Sequence, residues 1–129
     1  MPSMPEKHLY EYAVVRYVPR VERGEFVNVG LVMMCKRRRW VRARIAYDTA
    51  RLLALWPDSD LDVLAAQLES FGAIASGASC SPIASLEAHE RFRWLTAVRS
   101  ACITTSRPHP GLTHDLDATF DRLFAELVE

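Results

Sequence analysis

The chain has 129 residues, half of them hydrophobic, with sixteen basic and sixteen acidic side chains and a formal net charge of zero. That length suits one domain able to bury its own core without disulfides or metal, and the charge balance is unlike that of a dedicated nucleic-acid binder. No run of eighteen apolar residues occurs, the start MPSMPEKHLYEY lacks the basic-then-apolar order of a secretion signal, and Cys35, Cys80 and Cys102 form no C-x-x-C pair, so a cytoplasmic protein with neither a disulfide framework nor a zinc knuckle is expected.

Residues 1–4 are expected to form a disordered tail ahead of a single domain over 5–129. LYEYAVVRYVP is rich in β-branched and aromatic residues and predicts a strand from Leu9 to Val18, stopped by Pro19. EFVNVGLVMMC is a nearly continuous apolar run, as in a strand buried on both faces, with Gly30 marking a bulge or a close backbone neighbour. RVERGEFVNVG connects the two as a hairpin or arch, with Gly24 available for a positive φ. WVRARIAY alternates, placing Val41, Ala43, Ile45 and Tyr47 on one face and Trp40, Arg42 and Arg44 on the other. A two-residue turn at Arg37 and Arg38 would pair Val41 with Met34 and Ala43 with Val32, and would put Asn28, Gly30, Val32 and Met34 on the face of that apolar stripe.

The period then changes. DTARLLALW predicts about two turns of helix between an Asp48 cap and Pro57, and DSDLDVLAAQLESFG repeats Leu61, Leu64, Leu68 and Phe71 at helical spacing until Gly72. AIASGASCSP reads as a surface loop, SLEAHERFRWLTAVRSACITTS as a helix followed by a strand over Ala101–Thr105, and RPHPGLTH as a loop. Leu116, Phe120, Leu123, Phe124 and Leu127 mark a terminal amphipathic helix capped by Thr113 or Asp115. The order β-β-β-α-α-α-β-α predicts an α+β fold. Its antiparallel sheet has three to four strands, begins as an N-terminal β-meander and packs against about four helices on at least one face.

Charge is unevenly spread. Residues 16–51 hold ten basic side chains against three acidic ones, and arginine supplies fourteen of the sixteen cations of the chain. Guanidinium forks hold phosphate or carboxylate bidentately, so an anionic ligand or acidic partner suits this segment, although arginine codons of a GC-rich genome would give the same ratio.

Two segments, YEYAVVRYVPRVERGEFVNVGLVMMC and ERFRWLTAVRSACITTSRPHPGLT, resemble the paired signature segments of the bacterial domain of unknown function 3037 family, and the resemblance runs from about Tyr10 to the end. It implies a stand-alone cytoplasmic bacterial protein and, as a partner, a HipA-like kinase-domain protein. It implies no activity.

The polar residues of these segments give the candidate binding set Arg16, Arg20, Glu22, Glu25, Asn28, Arg99 and His109. Arg16 lies at strand parity with Tyr12 and Val14, so its guanidinium must reach a sheet edge or pair with Glu22 or Glu25. Either the glutamates neutralise Arg16, Arg20 or Arg99 and lock the hairpin, or the arginines and Asn28 face a groove for a phosphate or carboxylate with the glutamates orienting them. Glu22, Glu25 and Asp48 have no specific metal spacing, and helix capping accounts for the aspartates beside His109 and His114, so no metal and no cofactor are expected. No G-x-S-x-G elbow or Gly-rich phosphate loop is present. The expected function is a non-catalytic binding or accessory domain that engages a protein partner through an arginine-rich face. The alternatives are a small enzyme acting on a phosphorylated or nucleotide substrate, with Glu22 and Glu25 as acid/base or metal groups, and single-stranded nucleic-acid binding by KRRRWVRAR and the aromatics Phe92 and Trp94. An exposed sheet edge would also suit a homodimer.

Overall fold

Three N-terminal strands, β1 (His8–Tyr17), β2 (Val27–Cys35) and β3 (Trp40–Ile45), form the antiparallel meander that the sequence predicts. The computed structural model describes residues 6–78, 82–97 and 102–129; the tail expected at 1–4, Cys80 and Arg99 lie outside the described residues. Met34 pairs with Val41 and Val32 with Ala43, the expected register. Arg39 donates its N–H to the Lys36 carbonyl at 3.1 Å, which centres the turn on Arg37 and Arg38, and Arg39 itself takes a φ of 51°. The strand stops at Ile45, so Tyr47 lies beyond it and faces solvent.

Gly30 has both properties that its position suggests. A Cβ there would stand 2.6 Å from Ile45 Cδ1 and 2.8 Å from the Arg44 carbonyl oxygen, so only a residue without one fits between β1 and β3. The ladder with β1 also slips by one at this point: Val15 faces Gly30 but Arg16 faces Asn28, leaving Val29 as the extra residue of a bulge. The slip corrects the expected facing. Val32 and Met34 do share a core with Val41, Ala43 and Ile45, but Val29 and Val27 join that core beyond the bulge, and Asn28 turns to the opposite face.

The four helices among the described residues follow the sequence pattern with one change of length. In α1 (Thr49–Leu55) the Asp48 carboxylate accepts from Ala50 N–H, and in α2 (Leu61–Ser76) Asp60 accepts from Val63 N–H. α2 does not stop at Gly72. It continues until Gly77, whose φ of 78° supplies the left-handed cap, because Ile74 and Ala75 still fall on the buried stripe. α3 (Ala88–Leu95) precedes the short strand β4 (Ile103–Thr105). The segment expected as a loop then forms a fifth strand, β5 (His109–Thr113), ahead of α4 (Leu116–Leu127), which Asp115 caps through Ala118 N–H.

β1 is the centre of the sheet. β2 flanks one side; on the other, β4 pairs with Val15–Tyr17 and β5 with His8–Tyr12. Strand β1 would otherwise present unpaired backbone groups along half its length, and this outweighs Pro110, which is tolerable in a strand with one neighbour. Ser106 closes the gap between β4 and β5, its hydroxyl accepting from Val14 N–H at 2.9 Å and its own N–H donating to the Val14 carbonyl at 2.9 Å.

Both faces of the sheet are covered. Leu52, Leu64, Leu68, Phe71, Phe92 and Leu95 of α1–α3 pack on Ala13, Val15, Val32 and Met34, whereas Phe120, Leu123 and Phe124 of α4 pack on Tyr10, Val14, Leu31 and Met33. Charge helps to dock α4: Arg42 reaches Asp117 at 3.2 Å, Arg44 reaches Asp121 at 3.0 Å, and both guanidinium groups lie over the Phe120 ring. No helix of the described residues is long and apolar enough to cross a membrane.

Candidate functional site

The connection between β1 and β2 is a charged turn built on local pairs. Residues Val21–Arg23 make one 3-10 turn closed by Gly24 at φ 69°. Arg20 bonds Glu22 at 2.6 Å, and Arg23 bonds Glu25 through its Nε; all four side chains are exposed. Backbone hydrogen bonding and the Arg20 guanidinium together hold the Glu22 carboxyl below the usual glutamate range. The guanidinium of Arg20 also lies 5.2 Å from the Trp56 ring, which ties the turn to the end of α1.

Arg16 finds a partner other than a carboxylate. Its guanidinium stacks 4.2 Å from the centroid of Phe26, and its Nε is buried with no hydrogen-bond partner among the described residues. Opposite it in the ladder, Asn28 donates from Nδ2 to the Leu127 carbonyl at 2.9 Å, satisfying one of the orphan carbonyls in the last turn of α4. The Asn28 Oδ1 is also buried and unpartnered. Two of the three such buried atoms among the described residues therefore stand on facing positions of one strand pair.

These residues border a groove of about 560 Å³, lined by Phe26–Asn28 of β2 and the segment before it, by Arg51, Ala54 and Leu55 of α1, and by the end of α4. A smaller hollow of about 240 Å³ extends it past Tyr47 and Asp48, sharing Asn28 and Arg51. The groove exists because β3 is shorter than β2. Pairing with β3 ends at Gly30 and Ile45, so no strand covers Val27 and Asn28 on that side, and the two helical layers diverge around the open edge. Its walls offer an aromatic ring, aliphatic side chains, the Arg51 guanidinium, which has no carboxylate within salt-bridge distance among the described residues, the Glu129 side chain and a short run of strand edge. Such a mixture can hold an extended chain segment by backbone pairing, apolar contact and charge.

The expected set is thus partly gathered. Arg16, Arg20, Glu22, Glu25 and Asn28 line or adjoin one end of the sheet. His109 does not join them: it pairs with Tyr12, four positions along β1 from Arg16, which is roughly 13 Å at strand spacing, and its ring lies 5.3 Å from that of Tyr12. Arg99 lies outside the described residues. Phe26, Arg51, Leu55 and Leu127 complete the groove without having been singled out. Phe26 beside the Arg-Glu turn carried a signal, because an aromatic next to unpaired arginines suits stacking; Arg51 and Leu127 come near it only through the fold. Among His, Cys, Asp and Glu of the described residues, the one group of three tight enough for a metal is Glu87, His89 and Glu90, far along the chain at the start of α3.

No curated protein and no solved structure matches the chain. The family model described as "Protein of unknown function (DUF3037)" matches residues 12–128, which takes in the charged turn, the groove and both helical layers. On that match over nearly its whole length, the chain belongs to the DUF3037 family.

Proposed function

We propose that this chain is a non-catalytic binding module that engages a protein partner, taking an extended acidic segment of it into the groove between β2, α1 and α4. The observation that carries this reading is the open strand edge at Val27–Asn28, set between apolar walls and Arg51, which has no carboxylate partner among the described residues. Placement of the acid/base candidates supports binding over turnover. Glu22 and Glu25 are each held by an adjacent arginine on an exposed turn, and His109 stands elsewhere on the sheet, so no base meets a second reactive group in a dry cleft. The cationic face contributes less charge than the sequence suggests, because Arg42 and Arg44 are spent on α4; Arg16 and Arg51 supply the positive charge at this end, against the Glu129 carboxylate on the α4 side of the groove.

The HipA-like kinase-domain protein implied by the family resemblance is the first partner to test. Tagged wild type should recover it from a co-expression lysate, and Arg51→Glu combined with Phe26→Ala should reduce recovery at least tenfold while the circular dichroism spectrum is retained. Equal recovery by the two proteins would remove the groove as the contact surface.

A further inference from the structure

We infer that the opposite end of the sheet carries a second, separate docking surface, a hollow over Leu9 and Leu112 that takes an acidic segment bearing aliphatic side chains. Leu9 and Leu112 face each other across β1 and β5 and are 63% and 61% exposed, the largest exposures among the big hydrophobic side chains of the described residues. The strand alternation explains why. Leu9 shares the parity of Glu11 and Ala13, the face that α1–α3 cover, but the helical layer ends at the clamp between Arg93 of α3 and Glu11. Beyond that clamp the helical layer α1–α3 no longer covers this face of the sheet, and the two leucines floor a hollow of about 530 Å³ whose rim is Lys7, Lys36 and Arg37.

Charge selects the occupant. Arg37 is held by Glu6, whereas Lys7 and Lys36 have no carboxylate within salt-bridge distance among the described residues. A second copy of the chain docked symmetrically here would press its own Lys7 and Lys36 against these, so self-pairing is opposed by like charge. An anionic bilayer meets protruding side chains, but this surface is concave and sized for inserted ones. A leucine or isoleucine between aspartates or glutamates fits both the floor and the rim. The site lies eight positions along β1 from Tyr17, roughly 26 Å from the groove end, so the two surfaces can be occupied independently.

The test uses fluorescein-labelled peptides alternating leucine with aspartate and glutamate, a matched series with lysine in place of the acids, and a series with serine in place of leucine. Anisotropy is read on the Arg51→Glu, Phe26→Ala double variant, which disables the groove, and should show binding of the acidic leucine peptides alone, weakened at least tenfold by adding Leu112→Glu or Lys36→Glu and weakened by added salt. Binding retained in that double variant separates this surface from the groove, whose own failure would leave it standing. Absence of binding across the acidic series, equal binding of the lysine or serine series, or indifference to Leu112→Glu would overturn the inference. So would a dimer in sedimentation velocity, or binding to phosphatidylserine vesicles, that Leu112→Glu abolishes, since either assigns the hollow to another occupant.

Discussion

Asn28 and Leu127 are joined across 99 residues by one hydrogen bond, the Asn28 amide donating to the Leu127 carbonyl at 2.9 Å. The bond fastens the last turn of α4 to the start of β2 and shapes one wall of the groove. Asn28→Ala removes the donor and leaves a helix-end carbonyl short of a partner, so a loss of about 1 kcal/mol is expected in urea unfolding. Asn28→Asp should lose more, because it turns a carboxylate toward a carbonyl oxygen.

Phe120 is fully buried and lies under both Arg42 and Arg44, so apolar and ionic contributions to α4 docking can be separated. Phe120→Ala should cost roughly 3–5 kcal/mol, the range for deleting a core aromatic ring. Asp121→Asn removes the acid facing both arginines but leaves the packing, and a loss of at most about 1 kcal/mol that shrinks at high salt is expected, since these pairs are partly exposed. Paired denaturation curves at low and high salt would check both values.

At Gly30 even a methyl group is too much. Gly30→Ala should destabilise by about 1–3 kcal/mol through overpacking against Ile45 and the Arg44 carbonyl. Adding Ile45→Val removes the nearer obstacle but not the backbone oxygen, so thermal unfolding of the double variant should recover only part of the loss.

The Glu22 carboxyl should titrate below an ordinary glutamate, as a carbon-detected NMR pH series can show, because backbone hydrogen bonding and then Arg20 favour its ionised form. A lowered folded-state value means that whatever the pair contributes is fully present above the unfolded glutamate value and is lost as pH falls through the folded midpoint. Arg20→Gln should move that midpoint up toward the ordinary range. Solvent exposure of the pair keeps the accompanying change in stability small.

Much of the fold was legible from periodicity. The meander, its register, the caps at Asp48 and Asp115 and the terminal helix all follow from local pattern, since each depends on neighbours within a turn or a hairpin. Errors arose where a distant partner decided the outcome. Pro110 and Gly111 read as a loop until the uncovered half of β1 is there to pair with them, and Gly72 reads as a stop until Ile74 and Ala75 find the core. Asn28 was placed on the wrong face because one extra residue, Val29, reverses the alternation after Gly30. The candidate site shows the same division. The Arg-Glu pairs of the turn are sequence neighbours and could be anticipated, whereas Arg51 and Leu127 reach the groove through helices packed on opposite faces of the sheet.

The two-part outer neighbour of β1 has a consequence for how the molecule is made. Strands β4 and β5 and the bridging Ser106 emerge from the ribosome some 90 residues after the strand that they complete, so during synthesis the middle of the sheet waits with one flank open. Contacts of such long sequence separation slow folding and leave a backbone template available to stray strands. Truncation before Ile103 would therefore yield not a smaller version of the domain but an adhesive fragment.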